Sequence, residues 1–493
     1  MTTDDGLGRK FLGSAGWVLI EQWSTKVVSL LLFAVLARLL PPSDFGLVAL
    51  ATSIIAILQV FVNSGFSKAL IQKRVLEPKD ATTAFWTSLA LAAIVYGLLV
   101  VSAPLLAQLF GQPELRLVLV ALGAIIPLAA LSRVPAALLA REFAFRTLSV
   151  RTMLSTLIGA AIALPLALGG FGVWSLVAQA VAESAMAVVV LWSSTSWRPA
   201  FAFSIESLRS LWKTGMSLLG IELLDAIQAQ VDKLVVGALF SVSELGIYSL
   251  AQRLGVMLQE LVSSVISRVS LTTFSRTQDD LERVSRIFRQ LTFATAALSF
   301  PVFALVAVLA PQIVPFLFGP GWDAAIPLIW IMAGGWAFAA VAMFDRSALV
   351  GTNHADVALW LALLQNAISI GLVFAFAPLG VLGIAFSRFA RIVTWPIRLY
   401  ALHRYIRLPA WRYLWQVLKC VIAVLPAVVA IAILQTTPWA AVDGAFWLFA
   451  VPLGVLGMSS SLATCYLIAD PENRRAVRVQ IFQVFKRRGE SSA

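Results

Sequence analysis

The chain has 493 residues, a net charge of +12, 60% apolar residues and only 13% charged residues. Soluble proteins carry roughly a quarter charged residues, so this composition excludes a soluble enzyme and a disordered scaffold. It indicates an integral membrane protein with many spans.

Apolar runs of about 20 residues follow one another along the whole chain, and each can cross about 30 Å of hydrocarbon as a helix. We therefore predict an all-α membrane protein with 14 transmembrane helices. The predicted spans are 14–36, 45–66, 82–107, 115–138, 149–168, 171–192, 213–238, 246–270, 291–317, 324–344, 355–377, 380–401, 414–435 and 445–468. Residues 271–290 and the tail after 470 are predicted to form amphipathic helices on the cytoplasmic side.

The positive charges set the predicted orientation. With the N-terminus in the cytoplasm, 32 of the 37 Lys and Arg residues fall in cytoplasmic segments and three fall in outer segments. Basic residues collect in the cytoplasmic loops of membrane proteins, so both termini are predicted to be cytoplasmic. The same topology accounts for the net charge, and we expect no nucleic-acid partner.

Three sequence matches indicate an internal duplication. The matched segments are RLLPPSDFGLVALA (38–51) with ALFSVSELGIYSLA (238–251), APLLAQLFG (103–111) with APQIVPFLFG (310–319), and GGFGV (169–173) with LGVLGI (379–384). The first match has an offset of 200, and the third has an offset of 211 that aligns Gly169 with Gly380 and Gly172 with Gly383. Three matches in the same order along the chain predict two homologous halves.

The duplication predicts the domain organisation, because an even number of spans gives parallel repeats. We predict an N-terminal lobe over 1–205, a C-terminal lobe over 206–410, two further spans over 411–470 and a cytoplasmic amphipathic tail over 471–493. Paired repeats commonly enclose a site near the bilayer midplane and move against each other in alternating access.

Several stretches resemble the polysaccharide-transport family of the MOP exporter superfamily, the Wzx-like flippases of lipid-linked repeat units. They are ARLLPPSDFGLVAL (37–50), RVPAALLAREFAFRTLSV (133–150), DKLVVGALFSVSELGIYSLAQRL (232–254), SRTQDDLERV (275–284) and LFGPGWDAAIPLIWIMA (317–333). The resemblance implies two six-helix lobes in a V, a central cavity lined by spans one and seven, and no catalysis. It also implies a bacterial cell membrane and a lipid-linked oligosaccharide as substrate. We expect no bound cofactor or metal, a monomer, and the polysaccharide polymerase machinery as a further partner.

Charged residues inside the predicted spans form the candidate site, because a charge in the membrane is costly and usually faces a cavity or a partner. The candidate cations are Lys26 and Arg253. The candidate carboxylates are Glu21, Glu222, Asp225, Asp232 and Glu260, with Glu183 as a weaker candidate. Arg346, Arg388 and Arg391 lie close to the predicted cytoplasmic ends, where they are either anchors or contacts for substrate phosphates at the inner mouth.

Spacing supports this selection in span seven. Separations of three, three and four residues place Glu222, Asp225, Gln228 and Asp232 on one face of a helix. Two structural interpretations stay open: Lys26 pairs with a carboxylate of span seven and locks the lobes, or Asp232 lies in water at the outer boundary.

These residues suit the transport of an anionic lipid with a sugar head. A water-filled cavity removes the cost of desolvating the sugar, and Lys26 and Arg253 compensate the pyrophosphate charge. The surplus of carboxylates suits coupling to H⁺ or Na⁺. We expect a flippase that moves polyprenyl-pyrophosphate-linked oligosaccharide repeat units to the outer leaflet for exopolysaccharide, O-antigen or capsule synthesis. The alternatives are a cation-coupled multidrug exporter, a lipid II flippase, and a glycan polymerase or ligase, which the short outer connections disfavour.

Overall fold

The computed structural model describes residues 24–63, 70, 77–266, 274, 275, 277, 279–436 and 445–468. These ranges consist of helices and their connections, and they contain no strand. Glu21 and the predicted tail helix lie outside the described residues.

The helices of the N-terminal part coincide with predicted spans one to eight. Their described bounds are α1 24–39, α2 Pro42–Asn63, α3 Pro78–Leu109, α4 Leu115–Gly123, α5 Ile125–Arg141, α6 Phe145–Leu168, α7 Val173–Ser194, α8 Ile205–Leu239 and α9 Val242–Ile266. Predicted span four is divided into α4 and α5, which meet at Ala124.

The helices of the C-terminal part coincide with predicted spans nine to fourteen. They are α10 Leu281–Phe318, α11 Ala325–Val341, α12 Phe344–Gly351, α13 Ala355–Phe376, α14 Gly380–Ala390, α15 Trp395–Ile406, α16 Ala410–Gln435 and α17 Ala445–Ile468. Among the described residues, nine helical stretches are long and apolar enough to cross a membrane, and one of them, Ala355–Ile406, contains two predicted spans. The all-α membrane class is confirmed.

The prediction of a separate amphipathic helix over 271–290 is wrong from residue 281 onward. From Leu281 the chain forms one 38-residue helix, α10, that includes span nine. Val284 and Phe288 are fully buried, and the Phe288 ring lies 5.9 Å from the Tyr413 ring of α16. Its apolar stripe therefore packs on protein instead of on the membrane surface.

The chain divides into two compact units. The first comprises Met1–Ser249 and Leu317–Trp322, and the second comprises Leu250–Phe316 and Asp323–Ala493. This division falls inside α9 and describes packing, whereas the predicted lobes describe sequence repeats.

In the first unit, the starts of α2 and α9 cross at two glycines that the repeat aligns with each other. A Cβ atom on Gly46 would clash with the carbonyl oxygen of Val242, and one on Gly246 would clash with that of Pro42. Pro42 and Val242 are themselves equivalent at the offset of 200. The contact is therefore reciprocal, as contacts across a two-fold axis are.

The segment Leu317–Trp322 packs on the corner between α1 and α2. The indole Nε1 of the buried Trp322 donates to the Ala37 carbonyl oxygen over 2.9 Å. Its ring meets that of Phe45 edge-on, with centroids 5.3 Å apart. Arg38 Nε donates to the Leu317 carbonyl oxygen over 3.2 Å. Two connections that were predicted to be on the outer side therefore meet in this unit.

Glycines with positive φ correct the third repeat match. Gly172 (φ 55°) precedes α7 and Gly380 (φ 80°) begins α14. Gly111 (φ 63°) and Gly319 (φ 81°) form a similar pair after α3 and α10. Both pairs have an offset of 208, whereas Gly383, which the predicted alignment matched to Gly172, lies inside a helix. Gly170 (φ 77°) and Gly321 (φ 94°) form equivalent pairs with Gly380 and Gly111 at an offset of 210. Because glycine adopts positive φ at little steric cost, the backbone supports an offset of 208 or 210 and not 211.

Candidate functional site

Asp232, at the end of the polar face of α8, is a fully buried carboxylate. The Tyr248 hydroxyl of α9 donates to its Oδ2 over 2.6 Å, and the Lys233 backbone N–H donates to its Oδ1 over 3.0 Å. These bonds replace water around the carboxylate, so the interpretation that Asp232 lies in water is wrong.

Other charged residues predicted for the site are less enclosed. Lys26 of α1 and Glu222 and Asp225 of α8 are partly buried. Glu222 interacts electrostatically with Arg133 of α5. Arg133 was missed as a site residue because we assigned it to a cytoplasmic connection. The sequence feature that could have identified Arg133 is its position five residues inside predicted span 115–138, where a charge is costly.

A cavity of about 750 Å³ lies between α5, α6 and α7 of the first unit. Its polar lining consists of Ser132, Arg133, Arg151, Thr152, Ser155, Thr156, Glu183 and Ser184. Alanines provide most of the remaining wall, and their small side chains leave this space between the helices. Of these residues, only Glu183 was a sequence-based candidate.

Glu183 is held between α6 and α7. Gln179 Nε2 donates to Glu183 Oε1 over 3.1 Å, one turn along the same helix. On α6, a Cβ atom at Gly159 would clash with the Glu183 side chain. The glycine therefore makes room for a carboxylate at a helix contact.

In the second unit, Arg388 and Arg391 line a cavity of about 210 Å³ together with Arg398. The structure thus brings the two predicted arginines together and adds a third. Arg398 Nη2 lies 2.7 Å from Oδ2 of the buried Asp345 and donates to the Ala342 carbonyl oxygen, also over 2.7 Å. This ion pair was missed because nothing in the sequence links two residues that are 53 positions apart.

A family model described as "Polysaccharide biosynthesis protein" matches residues 35–327. The chain belongs to this family. The family resemblance noted in the sequence is thereby confirmed.

Curated relatives of this polysaccharide biosynthesis protein carry related names. The succinoglycan biosynthesis transport protein ExoT of Rhizobium meliloti is 30% identical over 361 residues, which are 73% of this chain and 73% of the relative. The lipopolysaccharide biosynthesis protein WzxC of Escherichia coli is 22% identical over 66% of this chain and 67% of its own length.

Solved structures show the fold. The lipid II flippase MurJ in an inward closed conformation matches with a TM-score of 0.72 and 15% identity, over 91% of this chain and 98% of that one. An inward-facing multidrug resistance MATE family transporter of the MOP superfamily matches with a TM-score of 0.61 and 15% identity, over 79% of this chain and 98% of that one.

The remaining predicted site residues of this polysaccharide biosynthesis protein are divided between the units. Lys26 belongs to the first unit and Arg253 to the second. Arg253, Glu260 and Arg346 are exposed. A single cavity that contains both Lys26 and Arg253 stays a prediction.

Proposed function

We propose that this polysaccharide biosynthesis protein is a flippase for polyprenyl-pyrophosphate-linked oligosaccharide repeat units. It moves them from the inner to the outer leaflet of the bacterial cell membrane for exopolysaccharide, O-antigen or capsule synthesis. The observation that supports this most is that α1, α5 and α8 carry the partly buried charged residues Lys26, Arg133, Glu222 and Asp225, within a chain similar to a succinoglycan biosynthesis transport protein. No catalytic step is part of this proposal.

The chemistry of the substrate assigns different tasks to different groups. The sugar head needs a water-filled path, because polar groups without hydrogen bonds cost several kcal/mol in hydrocarbon. Lys26 and Arg253 compensate the pyrophosphate, and an arginine can hold two of its oxygens at once. The polyprenyl tail needs no cavity, since it remains in lipid.

Alternating access supplies the movement, and the crossing of α2 and α9 is the element that we assign to it. The reciprocal contact at Gly46 and Gly246 lies at the predicted outer ends of these helices. Close glycine packing without side chains can separate without unpacking a core. In our proposal this contact closes the outer side in one state and opens in the other.

We further propose that Glu222 and Asp225 couple the cycle to H⁺ or Na⁺. Both are partly buried, and Glu222 interacts electrostatically with Arg133. Binding of a proton or a sodium ion to Glu222 would weaken this interaction and release Arg133. Transport rates that an imposed proton or sodium gradient leaves unchanged would contradict this coupling.

A multidrug exporter and a lipid II flippase remain the rival functions, since the fold is shared with both. The cations on transmembrane helices favour a substrate with negative charge over a cationic drug. Lipid II shares the pyrophosphate and the prenyl tail, so only the sugar distinguishes it.

The proposal is tested by deleting the gene and measuring lipid-linked intermediates together with surface polysaccharide. We expect a finished lipid-linked repeat unit to accumulate and the surface polymer to be lost. Wild type and Arg404→Ala, an exposed arginine outside both cavities, should reverse both effects. Lys26→Ala and Arg253→Ala should reduce polymer at least about tenfold, because each loses a charge-assisted contact.

Membrane levels of each variant must equal those of wild type for this comparison. Normal polymer in both the Lys26→Ala and the Arg253→Ala variant would contradict the proposed cation site. Unchanged lipid intermediates with new sensitivity to drugs would assign the protein to the exporter group instead.

A further inference from the structure

The cavity between α5, α6 and α7 contains two charged residues, Arg151 and Glu183, that the proposed transport path does not use. Two arginines and one carboxylate line it, which leaves one excess positive charge. Two polar atoms on its wall, Arg133 Nε and Ser155 Oγ, are buried and make no hydrogen bond within the described residues. Buried polar groups are normally hydrogen-bonded, so these atoms indicate a polar ligand.

The charged residues that line the cavity differ in their distance from the predicted cytoplasmic ends of their helices. Arg133 lies eight residues before the end of α5, and Arg151 lies six residues after the start of α6. At 1.5 Å per residue both are roughly 9–12 Å from the predicted cytoplasmic helix ends. Glu183 lies eleven residues before the end of α7, about 16 Å in. The cations are therefore nearer to the predicted cytoplasmic helix ends, and the carboxylate is farther from them.

The helix faces beside the cavity are suited to lipid. Leu154 and Leu157 on α6 and Val189 on α7 are 42%, 50% and 59% exposed, which is expected for side chains that contact the bilayer. On α6, Leu154 and Leu157 flank the cavity-lining residues Ser155 and Thr156 in the sequence. A ligand whose anionic head enters the cavity can therefore keep an apolar tail in the membrane.

We propose that this cavity binds the phosphate of an anionic lipid, with Arg133 and Arg151 as its cationic contacts. Guanidinium groups hold phosphate oxygens in pairs, and Ser155 supplies a further donor from the wall. The deeper Glu183 limits how far the anion enters. The site requires only binding of the anion, so a binding measurement tests it separately from flipping, although Arg133 also interacts with Glu222 of the proposed coupling group.

The test uses the purified full chain in nanodiscs of phosphatidylcholine and measures the Kd of undecaprenyl phosphate and of uncharged undecaprenol. We expect wild type to bind the phosphate at least about tenfold more tightly than the alcohol, as one or two charge-assisted hydrogen bonds allow. Arg133→Gln and Arg151→Gln should each remove most of this preference. Arg133→Lys should retain part of it, and Arg404→Gln should retain all of it. A preference unchanged in the Arg133→Gln, Arg151→Gln double variant would overturn the proposal.

Two further arms identify the source of the phosphate. In the first, phosphatidylglycerol competes with undecaprenyl phosphate. If this competition is lost in the Arg133→Gln and Arg151→Gln variants, the result supports the site and assigns it to phospholipid. In the second, inorganic phosphate is the competitor. If it displaces undecaprenyl phosphate at equal concentration, the site binds a free anion and the proposal of a lipid ligand is overturned.

A second measurement does not require the arginine variants to fold. Ser184 lines the cavity, and the native cysteines Cys420 and Cys465 are buried. In an otherwise wild-type chain, Ser184→Cys should react with a water-soluble thiol reagent, and undecaprenyl phosphate should slow that reaction. Equal slowing by undecaprenol would show that the phosphate has no part in occupancy of the cavity.

Discussion

Asp232 lies near the end of α8, a predicted membrane span, and it is enclosed by protein. Its carboxylate is 0% exposed and accepts a short hydrogen bond from Tyr248, which is also 0% exposed. A carboxylate enclosed in this way holds α8 against α9, because separation of the helices would leave it unsatisfied.

Removing the Tyr248 hydroxyl tests this role. Tyr248→Phe should lower the apparent Tm of the detergent-solubilised protein by a few degrees, since the loss of a hydrogen bond to a buried charged group costs about 1.5–3 kcal/mol. Tyr400→Phe, at a position 71% exposed, is the matched control and should leave the Tm unchanged. Equal Tm values for the two variants would show that the bond contributes nothing to stability.

Sequence reasoning selected the charged residues of α8 as candidates but could not assign their surroundings. Spacing places Asp232 and Glu222 on one helical face, yet one is buried against Tyr248 and the other lies near Arg133. Burial depends on the neighbouring helix, which spacing along a single helix does not specify. For the same reason, the pairing of Asp345 with Arg398 was not predictable.

At the scale of elements, helix positions were predictable because twenty apolar residues in succession have few alternatives in a membrane. Helix ends were less predictable. The start of α10 was assigned to a surface helix because Val284 and Phe288 recur at helical spacing beside charges. That pattern is shared by a helix on a membrane surface and by a helix packed on α16, and the structure shows the second.

The crossing of α2 and α9 yields a prediction about its glycines. Gly246→Ala should lower the apparent Tm, because the added Cβ meets the Pro42 carbonyl oxygen, a backbone atom that cannot rotate away. Gly97→Ala is the matched control: it is also helical, nothing lies within 4 Å of its added Cβ, and alanine favours a helix by about 1 kcal/mol. We expect Gly97→Ala to keep or raise the Tm. A Gly246→Ala variant as stable as Gly97→Ala would show that the crossing is loose.

At the scale of the whole molecule, the sequence predicts a duplication, and the backbone supplies evidence on its register. Gly170, Gly172 and Gly380 share a positive φ, which the sequence does not show because several glycines lie near each of them. The cavities were not visible, since spacing along one helix does not specify how far apart neighbouring helices pack. The sequence identified the candidate charged residues, and the fold divides these residues between the two units.

The central claim is that the protein moves a lipid-linked oligosaccharide between leaflets. The most direct test places the purified chain in liposomes with a fluorescent polyprenyl-pyrophosphate oligosaccharide in one leaflet. Its arrival in the other leaflet is then measured with a proton gradient, with a sodium gradient, and with neither. We predict protein-dependent movement that one gradient accelerates and that Lys26→Ala and Arg253→Ala slow at least about tenfold. Movement equal to that in protein-free liposomes under every gradient would contradict the account.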